Sequence, residues 1–494
     1  MRGRWASGCL ALALTLVAGS AAAQQTPGPQ PATPPAATTV EDLTPVLPGQ
    51  GLAPTAAGLA SRLANLLTNS ALGPHFGLQL TDVGSGTPLY GVNGNDPFAP
   101  ASVTKVLTAA ATLVTLGPDT RLHTCVMLLP AAATPAPIPP VSPGPSFPPG
   151  PSLEPGPPVS PGPTAAPLPE RTVVLIGGGD PLLTSLPTGS DELPAYPQRA
   201  HLDDLAIQTA QGLRNVGIDR IRLRYDSSFF SGPAASPQWV HSYTSDVVGP
   251  VVALSADAGR AQPENEGRVA DPAAHTAALF AAQLRQAGVT VLDKPAPQVA
   301  PPGVPTIGDV ASAPLGAMLE WMLVQSDNDV AEAMARQVAI HDGRPATFTD
   351  GAAAVRAEVS KLGVDLTGVT TYDGSGLSRE DRIPPRVLAQ TLAAAASGPN
   401  QVLRVLTGGL AVAGVNGTLM LHFYDPRSMA ARGILRAKSG SLQGVVSLTG
   451  ILPDADGRLL TFAAIADDVA PGEGLAARVA IERIAAALLS CGCR

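Results

Sequence analysis

Ser102 precedes Lys105 by three residues in "APASVTK" (99–105), in a chain of 494 residues with only four lysines, 105, 294, 361 and 438. A hydroxyl and an amine at this spacing share one face of a helix, so the amine can reach the hydroxyl. A serine at a helix start also lies near unpaired backbone N–H groups and the positive dipole end, which favour a developing oxyanion. The amine accepts a proton only when neutral. Its ordinary value of about 10.4 must fall by about three pH units to match neutral pH, roughly 4 kcal/mol. Burial and a second nearby cation supply such a fall. Alone, the pair reads either as a nucleophile, Ser102, with Lys105 as its base, or as a chance Ser-x-x-Lys on a helix surface.

Two further stretches raise this above a chance pairing. "SDN" (326–328) interrupts a helical region, between "LEWMLVQ" and "VAEAMARQ". Alone it reads as a helix cap. "KSGS" (438–441) follows the apolar "GILRA" and alone reads as a strand ending in a glycine turn. In this order the three stretches use two of the four lysines. No Gly-x-Ser-x-Gly elbow, His-Glu-x-x-His, Walker lysine or Cys-x-x-Cys occurs. "IGGGDP" (176–181) fails the dinucleotide pattern because Leu182 holds the last glycine position. Asp373, in "YDGSGLSR" (372–379), reads as part of a turn shaping the site instead of a triad acid, and Glu332 as a helix-surface or structural residue.

The combination resembles the penicillin-recognising serine D,D-peptidases, with their Ser-x-x-Lys, Ser-x-Asn and Lys-(Thr/Ser)-Gly motifs. More narrowly it looks like the low-molecular-mass D-alanyl-D-alanine carboxypeptidase/endopeptidase branch (class C type). "IGGGDPLL", "SDNDVAE", "YDGSGLSR", "AVAGVNGTL" (411–419) and "RAKSGSLQGVVSLTG" carry the likeness, which spans most of residues 75–467. The resemblance implies that Ser102 attacks the carbonyl between two D-alanines and Lys105 takes its proton. Ser326 would relay a proton to the leaving amine, and Asn328 would orient the substrate amide. Lys438 would hold the terminal carboxylate and depress Lys105. The N–H groups of Ser102 and Ser441 would form the oxyanion hole, with Ser439, Gly440 and Ser441 lining the substrate. It implies peptidoglycan stem peptides and β-lactam antibiotics as partners, with no metal and no cofactor. Ser439 stands where threonine is commoner and keeps the hydroxyl. Only eight residues separate Arg260 from Val269, so one inserted domain common in relatives is reduced or missing. That bears on how a branched cross-link is held, and hence on endopeptidase work. A β-lactamase and a catalytically quiet wall-binding scaffold are the competing readings. The long interval between motifs, without an evident deacylating glutamate, speaks against the first; retention of every motif side chain speaks against the second.

The elements that must position these residues follow from periodicity. "FGLQLTDV" and "PLYGVN" alternate around "GSG" as a hairpin, and "SVTKVLTAAATLVTLG" reads as a helix ending at Gly117. "HTCVMLL" and "RTVVLIGGGDP" read as a second hairpin separated by the proline-rich run 130–169, for which no catalytic role is expected. Helices are expected near 200–215, 273–288, 314–339 and 350–361. Three consecutive strands follow between 430 and 467, then a closing helix over 474–489. The class expected is α+β: a three-layer α/β/α arrangement around an antiparallel sheet, plus a smaller inserted domain between the first two motifs. The divisions are 1–23, 24–54, 55–120, 121–305 and 306–494, from signal segment and Pro-rich linker to the two peptidase parts flanking the insert.

Residues 1–23 supply the export signal: Arg2 and Arg4, an apolar core and "AAA" at 21–23. A retained anchor is the alternative to cleavage. The place of work is the cell envelope, a periplasm-like space or the exterior. A formal charge of −8 without a basic run excludes nucleic acid as an expected partner. Of the cysteines past the signal, Cys125 is expected to pair with Cys491 or Cys493.

Overall fold

The computed structural model describes residues 51–130, 170–190, 196–263 and 267–494. The signal-like segment, nearly all of the linker and residues 131–169 of the proline-rich run lie outside the described residues. Twelve strands form two sheets among the described residues. The first is antiparallel throughout, in the order β2 (Pro88–Val92), β1 (Phe76–Asp82), β12 (Leu459–Ala466), β11 (Val445–Pro453), β10 (Arg436–Leu442), β9 (Ala411–Val412). The expected hairpin is β1 on β2, with Leu78 opposite Val92 and Leu80 opposite Tyr90.

Alternation along β12 shows why this sheet is covered on both faces. Ala463 and Ile465 join one core, while Leu460, Phe462 and Ala464 join another. Side chains alternate across a strand, so an uninterrupted apolar run must be buried from both sides. On one side lie the helix Lys105–Leu116, with Val106, Leu107 and Leu113, and the helices Leu315–Gln325 and Asn328–His341, with Met318, Met322, Val330 and Met334. On the other lie Ala56–Leu67 and Gly474–Leu489, through Leu59, Leu63, Ile481 and Leu488. This is the three-layer α+β arrangement expected. The two ends of the fold meet where Thr55 N donates to Cys493 O at 2.8 Å.

The second sheet is mixed, in the order β6 (Thr290–Val291), β5 (Arg220–Asp226), β4 (Arg171–Gly177), β3 (His123–Leu128), β8 (Thr306–Ala311), with β7 (Ala296–Pro297) also on β5. β3 and β4 are antiparallel, with Cys125 opposite Ile176. The helices Leu202–Asn215 and Pro272–Gln286 cover it around Leu205, Leu213, Leu223 and Phe280. Strand β8, up to Ala311, belongs to this sheet, because it pairs with β3 and Val310 packs in the same core as Leu205 and Phe280.

Cysteine pairing differs from the expectation. Cys491 is bonded to Cys493 and not to Cys125. Cys125 is buried on β3 in the inserted sheet, whereas the other two sit together at the C-terminus beside Thr55.

Candidate active site

Ser102 sits in a 3₁₀ turn, Ala101–Thr104, that runs into the α-helix beginning at Lys105. In a 3₁₀ turn residues i and i+3 eclipse, which brings the two side chains closer than an α-helix would. The backbone before it is constrained: Ala101 takes φ 53°, a region L-residues seldom adopt. Neighbours hold it there. Asp467, at the end of β12, accepts Ala99 N at 2.7 Å, and Ser447 Oγ on β11 donates to Pro100 O at 2.7 Å. Thr104 Oγ1 donates back to Ala101 O at 3.0 Å.

Lys105 is fully buried and spends its three N–H bonds on Ser102 Oγ at 3.0 Å, Asn328 Oδ1 at 2.7 Å and Ser375 O at 2.9 Å. In the neutral amine two hydrogens serve Asn328 and Ser375, and the lone pair then faces Ser102. Burial pulls the Lys105 ammonium down to about 8, against the opposing pull of Glu332, Asp373, Asp327 and Asp329. Burial is thus the cause of the fall, and the charges acting on Lys105 are carboxylates that oppose it, not the Lys438 cation expected to depress it. Lys438, also fully buried, is held well below the usual lysine range by burial first and by Lys105 second. Its Nζ donates to Ser439 O at 2.7 Å.

The second motif reaches the site through a turn. Ser326 ends the helix Leu315–Gln325 in the left-handed conformation (φ 61°), and Asp327 then caps the next helix by accepting Val330 N at 3.0 Å. Asn328 Nδ2 donates to Val247 O at 2.9 Å, which fixes its amide so that Oδ1 faces Lys105. The third motif is β10, laid beside Ser102. A Cβ on Gly440 would come within 2.2 Å of Ser447 Oγ and 3.0 Å of Ser102 N, so only glycine lets the strand pass. Ser439 Oγ donates to Thr418 Oγ1 at 2.9 Å.

Two cavities meet at Ser102. One, of about 550 Å³, is lined by Ser326, Thr418, Ser439, Ser441 and Arg478 among others. The second, of about 860 Å³, is lined by Tyr243, Asn328, Leu377, Arg379 and Gln443. Ser102, Lys105, Ser326, Asn328, Lys438, Ser439, Gly440 and Ser441 are therefore gathered at one place, although 339 positions separate the first from the last. Among the described residues no group of three or more His, Cys, Asp or Glu side chains could hold a metal ion.

Of the two readings of Glu332, the structural one holds and the helix-surface one does not. The side chain is fully buried, accepting Gly374 N at 3.1 Å and Ser375 N at 2.9 Å, and so holds the carbonyl that Lys105 uses. Burial, then Asp373, pushes it up to about 7. Asp373 accepts Trp239 Nε1, Gly376 N and Ser378 N, each at 2.7 Å, and does act as the organiser of its turn. Thr418, Arg379 and Arg478 were assigned no role from sequence; only the first two lie in stretches that carried the resemblance.

A family profile described as D-Ala-D-Ala carboxypeptidase 3 (S13) matches residues 59–131, 160–267 and 261–488. The chain belongs to this family. Carboxypeptidase DacB of Mycolicibacterium smegmatis is 36% identical over 444 residues, covering 89% of this chain and 85% of that protein. Carboxypeptidase Rv3627c of Mycobacterium tuberculosis is 34% identical over 469 residues, 94% of this chain and 90% of that one. Among solved structures, penicillin binding protein 4 (dacB) from Haemophilus influenzae superposes with a TM-score of 0.64 at 20% identity, covering 85% of this chain and 97% of that one, which shows the shared fold. By family the S13 chain is a serine-type D-Ala-D-Ala carboxypeptidase, acting outside the cytoplasm on the cell wall.

Proposed function

We propose that this carboxypeptidase cleaves the terminal D-Ala–D-Ala bond of peptidoglycan stem peptides through an acyl-enzyme on Ser102. Ser102 Oγ attacks the carbonyl carbon of the penultimate D-alanine as its proton passes to neutral Lys105. The oxyanion is met by the backbone N–H groups of Ser102 and Ser441. Ser326 relays a proton to the leaving amine, and D-alanine departs. Water then attacks the ester, giving a proton to Lys105, which passes one to Ser102 Oγ as the ester C–O bond breaks, so that the peptide leaves as its carboxylate form and neutral Lys105 is restored. Asn328 holds Lys105 on one side and faces the substrate on the other. Ser439, Gly440 and Ser441 line the leaving residue.

The observation that carries this reading is the 3.0 Å contact between Ser102 Oγ and a lysine whose burial brings it near neutrality. A β-lactam, whose strained amide meets the same hydroxyl, would leave a covalent adduct there. Cross-link cleavage is the same attack with a larger leaving amine. The charged, apolar and small-residue segments at 1–23 support export to the cell envelope. The test is D-alanine release from a pentapeptide ending in D-Ala-D-Ala. Native protein releases it, and S102A loses at least about a thousandfold in rate. Undiminished release by S102A would contradict the assignment.

A further inference from the structure

Lys438 was expected to grip the substrate's terminal carboxylate, yet it does not line the cavity of about 550 Å³ beside Ser102. Its Nζ is directed to Ser439 O, and none of its surface is exposed. The cavity wall carries a different permanent cation. Arg478, on the helix Gly474–Leu489, lines the same space as Ser102, Ser326, Thr418, Ser439 and Ser441, with 37% of its side chain exposed.

The surroundings of Arg478 are arranged but incompletely paired. Glu482, one turn on, is almost fully buried, and its Oε1 lies 3.5 Å from Arg478 Nε. No hydrogen bond joins them, and Arg478 Nε and Glu482 Oε1 are both buried atoms without a hydrogen-bond partner among the described residues. Glu482 is held through Oε2, which accepts Phe423 N at 2.9 Å; His422 Nδ1 lies 2.9 Å from Oε1 without a hydrogen bond between them. Glu482, which also borders the cavity but is only 2% exposed, faces Arg478 through Nε and leaves the terminal nitrogens of the guanidinium uncommitted to it. A guanidinium facing a cavity suits a carboxylate through two parallel N–H bonds.

We propose that Arg478, set by Glu482, is the counter-ion that reads the carboxylate of the leaving D-residue. Ser439, Ser441 and Thr418 supply hydroxyls beside it. Arg478 is thereby a specificity residue that makes this enzyme act on chain ends. The inference rests on the peptidase reading above and names the group that selects its substrate.

The test compares two acyl donors that differ at one point, a peptide ending in D-Ala-D-Ala as the free acid and the same peptide as its C-terminal amide. The readout is the ratio of kcat/KM for acid over amide in each protein, so a general loss of activity cancels. Native protein prefers the acid. R478A is expected to lower the ratio about tenfold or more, and R478K to keep part of it, because lysine retains the charge and loses the fork. An unchanged ratio in R478A overturns the proposal and returns the carboxylate to Lys438 and the hydroxyls. If native protein releases no D-alanine and takes no β-lactam on Ser102, the peptidase reading falls, and this inference falls with it. Release with an acid-to-amide ratio near one overturns only the inference.

Discussion

Around Lys105 the chemistry is set by competition between burial and four carboxylates. Burial lowers it to about 8, and Glu332, Asp373, Asp327 and Asp329 act in the opposite direction. With neutral Lys105 as the proposed base, acylation should rise as pH increases through about 8 and level off above it. The acylation rate with a chromogenic β-lactam, measured across pH, reads this midpoint. Glu332 is a positioning residue, because it touches the 374–375 backbone and not the nucleophile. E332Q keeps an oxygen for Gly374 N and Ser375 N but removes a charge that favours the ammonium. Its midpoint should therefore move below that of the native protein; an unmoved midpoint contradicts the electrostatic role. Glu332 was hidden in the sequence for a physical reason. The helix Asn328–His341 buries Glu332 and Arg336 along with its apolar residues, and hydrophobic periodicity cannot separate a buried, satisfied carboxylate from an exposed one.

The elements that position the site are tied by a few polar contacts between the inserted unit and the second motif. Arg268 Nη2 lies 3.1 Å from Asp329 Oδ2, and Gly249 N donates to Asp329 Oδ1 at 2.7 Å, next to the Asn328 amide. Removing one partner of a buried pair leaves an uncompensated charge and costs about 3 kcal/mol. R268A should therefore lower the urea midpoint at pH 7. Asp329 is raised to about 6, by burial first and in spite of Arg268. At pH 5 it is protonated in both proteins, so the difference between R268A and native protein should shrink. A gap that holds constant from pH 7 to pH 5 would count against the charge as its cause. Gly440 sets the other contact. G440A drives a Cβ into Ser447 Oγ and the Ser102 turn, and overpacking of this kind costs about 1–3 kcal/mol. Its β-lactam acylation rate should fall at least tenfold, roughly the equivalent of 1.4 kcal/mol in the barrier, while its circular dichroism stays native. The hairpin, the three C-terminal strands and the closing helix were legible because their apolar residues keep a period of two or 3.6. The 3₁₀ turn under Ser102 was not, since a short turn and the start of an α-helix share one pattern.

At the scale of the molecule, the residues proposed as catalytic are brought together from the two sequence segments that flank an inserted unit. The inserted unit adds its own sheet and core and lends Val247, Gly249 and Arg268 to the second motif. The three motifs were readable because rare lysines fell into two of them. Arg478 was not, since arginine is plentiful and only the fold brings the C-terminal helix to the cavity. Cysteine pairing was also beyond reach, because three candidates admit several pairings and proximity decides among them. β3 and β4 run side by side up to Leu129 N and Thr172 O, 2.9 Å apart. Replacing residues 131–169 by a short turn should therefore keep kcat/KM for D-alanine release within about twofold, which steady-state assay would show. The central claim, that Ser102 is the nucleophile of a penicillin-sensitive peptidase, is tested most directly by intact-mass measurement after exposure to benzylpenicillin. The account predicts one durable adduct per chain, mapped to the peptide holding Ser102 and absent in S102A. A durable adduct that persists in S102A, or none on the native protein, would contradict it.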